Sequence, residues 1–152
     1  MSNKIRLDAT DRAILHELSR DGKLSNVELA DRVGLTPAPC LRRVKRLEEQ
    51  GVITGYRARL DPVAAGRSFC VYMAVEITMT SREVVEEFEA ALLSYDEVTE
   101  VRRVYGAIDY LVRVDVEDSN AYERFQTEKM YALTGVQRVV SHTTMSLIKS
   151  ST

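Results

Sequence analysis

Four cations crowd one stretch of this 152-residue chain: Arg42, Arg43, Lys45 and Arg46 in "LTPAPCLRRVKRLEEQG". Guanidinium forks at this density suit phosphate oxygens and base edges, because each arginine holds five N–H donors in a plane and stays charged. Whether they act together depends on the two prolines upstream. With Thr36 as N-cap, Pro37 falls at the first helical position, where its missing N–H and fixed φ are tolerated. Pro39 falls at the third, still among donors that have no intrahelical acceptor. Leu41, Val44 and Leu47, widened by Cys40, then form one apolar stripe. Arg42, Arg43 and Arg46 lie off that stripe, with Lys45 near its flank. The spacing predicts a helix over 37–50, stopped by Gly51. Its capping Thr36 hydroxyl should take the Ala38 N–H, since residue 39 has none to give.

The elements around this helix set its use. A helix is expected from about Asp11 to Arg20, capped near Asp8 or Thr10 and closed at Gly22. Ser25 followed by Glu28 is a capping box for a short second helix that buries Leu29, Ala30 and Val33 and ends at Gly34. Two short helices joined by "VGLT", the second basic on its free side, make a helix-turn-helix. Such a unit places one helix in the major groove of double-stranded DNA while the other braces it. Residues 52–60 alternate imperfectly and are read as a short strand or wing carrying Arg57 and Arg59. Pro62 and Gly66 mark a hinge.

The remaining residues predict strands at 68–78, 97–106, 108–116 and 135–149, with helices at 81–95 and 118–133. The order βαββαβ gives a ferredoxin-like antiparallel sheet with both helices on one face. The fold class is therefore two-domain: an all-α winged helix-turn-helix over 1–61, with its strand and hinge at 52–66, then an α+β ferredoxin-like domain over 67–152. "CVYMAV" and "VVSHTTMSLI" are apolar on both sides of the strand, so the uncovered sheet face should pair with a second copy.

Charge divides the same way. Residues 1–60 hold 12 Lys and Arg against 8 Asp and Glu, whereas residues 61–152 hold 9 against 15. A basic front on an acidic carrier fits a polyanion-binding module. Cys40 and Cys70 offer neither a disulfide framework nor a metal set, and no run of apolar residues is long enough to span a membrane. The N-terminal residues lack a signal peptide's apolar core, which points to the cytoplasm. His16 and His142 have no nucleophile or acid partner in sequence, so no enzyme activity, metal or cofactor is expected. One small-molecule feature stands out. In "YGAIDY", N–H groups near Gly106 can meet a carboxylate and Asp109 an amine.

These motifs resemble the leucine-responsive/asparagine-responsive, or feast/famine, regulator family over nearly the whole chain. The resemblance rests on Leu7-Asp8-x-x-Asp11, Leu29-Ala30, Val33-Gly34-Leu35-Thr36, Arg43-Val44, Leu47-Glu48 and Gly51-Val52-Ile53, and on "YGAIDYLVRV" and "LTGVQRVVSHTTMSLIK". It implies a DNA-binding transcription regulator, nucleoid-associated, whose C-terminal domain dimerises and senses a free amino acid, with dimers assembling to octamers. It implies a recognition helix over Pro37–Gln50, with DNA contacts from Thr36, Ala38, Arg42, Arg43, Arg46 and, on the wing, Arg57. The effector would sit between dimers against Gly106, Ala107, Asp109 and Tyr110, with Thr134, Gly135 and Thr143 opposite. The family carries an acid directly after the turn glycine where this chain has Ala107, which removes one partner for a ligand's ammonium. A nucleoid-associated architectural protein with little effector response is the alternative.

Overall fold

The computed structural model describes residues 5–78 and 81–149. It divides into two compact units, one ending at Arg59 and the other spanning Leu60–Lys149.

The first unit is three helices: α1 (Ala9–Arg20), α2 (Asn26–Arg32) and α3 (Pro37–Glu49). Both starts foreseen for α1 resolve to Asp8. Its carboxylate accepts the Asp11 N–H while the Asp11 carboxylate accepts the Asp8 N–H, a reciprocal box that satisfies two orphan donors. Ser25 and Glu28 do the same for α2. Between α2 and α3 the chain turns at Gly34 with φ +68°, a left-handed conformation that favours glycine. Ile14, Leu29, Ala30, Cys40 and Leu47 make the buried centre, with Leu18, Val33 and Val44 packed around it.

Three local expectations need correction here. Leu41 is not on the buried stripe but 43% exposed; Cys40, Val44 and Leu47 face inward at i, i+4 and i+7. Thr36 is the N-cap, yet its side chain makes no capping bond. With Pro39 lacking an N–H the usual target is gone, and the hydroxyl stays at the surface. Residues 52–60 carry no strand. An extended segment needs a ladder partner for its N–H and C=O groups, and none pairs with it among the described residues.

In the second unit the sheet runs β2-β3-β1-β4, from β1 (Phe69–Ile77), β2 (Val98–Arg103), β3 (Tyr110–Val116) and β4 (Val136–Thr143), all pairs antiparallel. Helix α4 (Arg82–Ser94) and helix α5 (Ser119–Arg124) cover one face. Alternation explains why: Val71, Met73, Val75 and Ile77 of β1 and Tyr110, Val112, Val114 and Val116 of β3 point to one side. There they meet Val85, Phe88 and Leu92 of α4. The chain is thus α+β and ferredoxin-like. The helix read as 118–133 is not uniform. After Arg124 it widens into a π-helical turn, Phe125–Met130, with the Tyr131 N–H bonded to the Gln126 carbonyl five residues back. The wider turn lets Phe125 and Met130 both reach the core. The last strand also stops early, at Thr143, leaving Met145, Leu147 and Ile148 exposed.

Candidate functional site

In the first unit, α3 presents its N-terminal turn and one flank to solvent. Thr36, Pro37, Ala38, Arg42 and Lys45 are all exposed, and neither Arg42 nor Lys45 has an ion partner among the described residues. The start of α3 is held from α2, where the Asn26 amide donates to the Pro37 carbonyl at 2.7 Å. Arg57 is exposed on the irregular segment after α3.

Arg43 and Arg46 are placed differently from the sequence expectation. Arg43 Nη1 donates to Asp8 Oδ2 at 2.7 Å and to Asp11 Oδ1 at 2.8 Å; Arg46 Nη2 donates to the same Asp11 Oδ1 at 2.7 Å. All three are charge-assisted bonds, and at the two made to Asp11, which is 1% exposed, water is kept from the carboxylate; Asp8 stays half exposed. The backbone N–H of Asp11, then the Arg43 guanidinium, hold the Asp8 carboxyl below the usual carboxylate range. Both arginines therefore lean on the start of α1. In the sequence, Leu7-Asp8-x-x-Asp11 carried part of the family resemblance and Asp8 a helix start, but neither acid was matched to an arginine. An acid pair at i, i+3 facing two arginines at i, i+3 was the available signal.

In the second unit, an open cavity of about 620 Å³ is lined by Arg103, Val104, Tyr105, Gly106, Ile108 and Asp109. Gly106 and Ala107 are exposed in the turn. Asp109 is partly spent on structure. Its Oδ2 accepts the Ile77 N–H at 2.8 Å, at the bulge that ends β1, and its own N–H donates to the Val75 carbonyl. Across β1, the Gly135 carbonyl accepts the Thr78 N–H at 2.7 Å, so Asp109 and Gly135 flank the same strand end, with Thr134 exposed beside them.

Two expected pocket residues lie elsewhere. Tyr110 is 1% exposed and points into the helix-facing core, its ring 5.0 Å from Phe88 and its hydroxyl donating to Glu89 at 2.6 Å. Alternation forces this: Asp109 and Tyr110 are adjacent, so they take opposite faces. Thr143 pairs with Val71, at the other end of β1 from Asp109. Arg103, Val104 and Tyr105 were missed, because only the folded turn shows which neighbours of Gly106 share its concavity.

The sheet face without helices is mixed. Tyr72, Ala74, Leu111 and Val140 are half-buried at its centre. Glu76 pairs with Arg138, Glu100 with Arg102 and Arg113 with Asp115 around them. Among the described residues there is no cluster able to hold a metal ion, and no helix is long and apolar enough to cross a membrane.

Comparison with known proteins matches residues 7–54 to a winged helix-turn-helix DNA-binding family and residues 70–152 to the Lrp/AsnC ligand binding domain. The leucine-responsive regulatory protein of Salmonella typhimurium is 42% identical over 145 residues, covering 95% of this chain and 88% of that protein. Among solved structures, a Neisseria meningitidis transcriptional regulator in complex with L-Met superposes with TM-score 0.93 at 35% identity, covering 97% of this chain and 95% of the other. An AsnC family regulator from Agrobacterium tumefaciens gives TM-score 0.90 at 36% identity, covering 96% and 95%.

Proposed function

The chain belongs to the Lrp/AsnC family of DNA-binding transcriptional regulators, and from that premise we propose that it reads discrete DNA sites with α3 and is tuned by a free amino acid. The observation that carries the DNA part is the exposed flank of α3, where the side chains of Thr36, Ala38, Arg42 and Lys45 face solvent and, among the described residues, neither Arg42 nor Lys45 has an ion partner. Side chains there can meet phosphates and base edges together, with Arg57 close in sequence for the backbone. The effector part is supported by the cavity at Gly106 and Asp109 and by the L-Met bound to the Neisseria relative. Asp109 Oδ2 is taken by the Ile77 N–H and Ala107 supplies no carboxylate, so the pocket selects on the side chain of its ligand more than on the amine.

Two recognition helices per assembly make the reading stronger than one. The uncovered sheet face, apolar at Tyr72, Ala74, Leu111 and Val140 and rimmed by ion pairs, supports a two-fold dimer, with octamers built from dimers. The chain works in this reading as a cytoplasmic, nucleoid-associated regulator without catalysis, metal or cofactor, the amino acid being its one small ligand. Footprinting on the DNA upstream of its own coding region, with and without single amino acids, tests it. Discrete protected sites whose occupancy shifts with one amino acid are expected. Smooth, length-dependent coverage indifferent to amino acids would replace this reading with that of an architectural protein.

A further inference from the structure

We propose that Asp8 and Asp11 are positioning residues for DNA reading: they clamp α3 to the start of α1 through Arg43 and Arg46, and so remove those two arginines from phosphate contact. The inference rests on the sequence-specific reading above and adds how the helix is aimed.

The geometry is closed. Asp8 and Asp11 first bind each other's backbone N–H groups, which fixes both carboxylates relative to the axis of α1. The oxygens left over then take Arg43 and Arg46, which lie one turn apart on α3. Two acids and two bases make a neutral quartet, so it adds little to the net attraction for a polyanion. It instead ties the middle of α3 at two points to a neighbouring helix. Asn26 ties the start of α3 from α2. A helix held at its start and its middle has one angle of presentation to a groove, and base-edge contacts depend on that angle while non-specific attraction does not. Within the cation-rich stretch of α3, phosphate contact then falls to Arg42 and Lys45, which the quartet leaves out.

The test is a charge-neutral double variant, Asp8→Asn with Arg43→Gln. Asn caps a helix as well as Asp does, so α1 keeps its start, and the net charge is unchanged. Binding is measured over a salt series to the best duplex that the wild-type chain selects from a random pool, and to a scrambled duplex of the same composition. Circular dichroism melting confirms that the variant is folded at the assay temperature. The expected result is a fall of tenfold or more in the selected-to-scrambled affinity ratio, with affinity for the scrambled duplex and its salt slope as in wild type. A milder single variant, Asp8→Asn, should lower the ratio in the same direction without weakening scrambled binding. If the double variant keeps the wild-type ratio, or if its salt slope drops by about 0.9 as for a lost phosphate contact, the clamp is wrong and Arg43 belongs to the DNA surface. If the wild-type chain itself treats both duplexes alike, the sequence-specific reading falls and the clamp with it.

Discussion

At the residue scale, the two arginine roles separate by burial of their partners. Arg42 is exposed and unpaired among the described residues, while Arg43 and Arg46 share a carboxylate that water barely reaches. Arg42→Ala should therefore weaken DNA binding about equally for all sequences and flatten the salt dependence by about 0.9 per lost phosphate contact. A slope that does not move would take Arg42 off the DNA surface. Tyr110 makes a second residue-level case. Burial first, and then the neighbouring Glu89 carboxylate, push its phenol up to about 12. An unfolded tyrosine ionises near 10. The folded state thus favours the neutral phenol, a contribution intact below about pH 10 and lost as pH climbs toward 12. Melting temperatures of wild type and Tyr110→Phe, compared from pH 8 to pH 12, should show the wild type falling more steeply above about 10. Parallel curves would mean that Tyr110 does not titrate in that window.

At the element scale, helix α3 shows how little of a stripe needs to be buried. Leu47 is fully buried, so Leu47→Ala should cost about 2–5 kcal/mol in unfolding experiments on the chain. Leu41 is 43% exposed, and Leu41→Ala should cost less than about 1 kcal/mol. Equal costs would mean that the stripe turns the other way. The π-helical turn and the Gly135 bend are element-level devices of the second unit. Gly135 has φ +87°, and a Cβ there would lie 3.0 Å from Val84 Cγ1. Gly135→Ala should destabilise by roughly 1–3 kcal/mol, from backbone strain and contact with α4 together. Because Gly135 also closes the end of β1 beside Asp109, ligand affinity should fall with it. Denaturant melts with and without the amino acid would separate the two effects.

At the scale of the whole molecule, the proposed dimer turns on the face that no helix covers. Leu111 stands opposite Ala74 near its centre. Leu111→Asp puts a charge where a second copy would exclude water, so light scattering should find it at half the wild-type mass or less, with the sheet signal of circular dichroism retained. An unchanged mass would remove this face as the interface. The charge division between the two units belongs to this scale too. The basic excess lies in the first sixty residues and the acidic excess in the rest, so the two units carry opposite net charge.

Much of this was legible before any coordinates. Capping residues such as Ser25 with Glu28, the tolerated prolines at the start of α3, and the βαββαβ order of apolar periods are local properties, set by backbone donors and side-chain spacing within a few residues. They placed the helix-turn-helix and the ferredoxin-like sheet without a fold to consult. What no local pattern settled was which side chains meet across long separations. Arg43 finds Asp8 and Asp11 more than thirty residues away, Tyr110 turns inward to Glu89, and Asp109 gives an oxygen to the Ile77 backbone. Thr143 is carried to the far end of its strand by the register with Val71. Propensity and capping are encoded in neighbouring residues, but a side chain's partner depends on crossing angles and strand register, which exist only once the elements have packed.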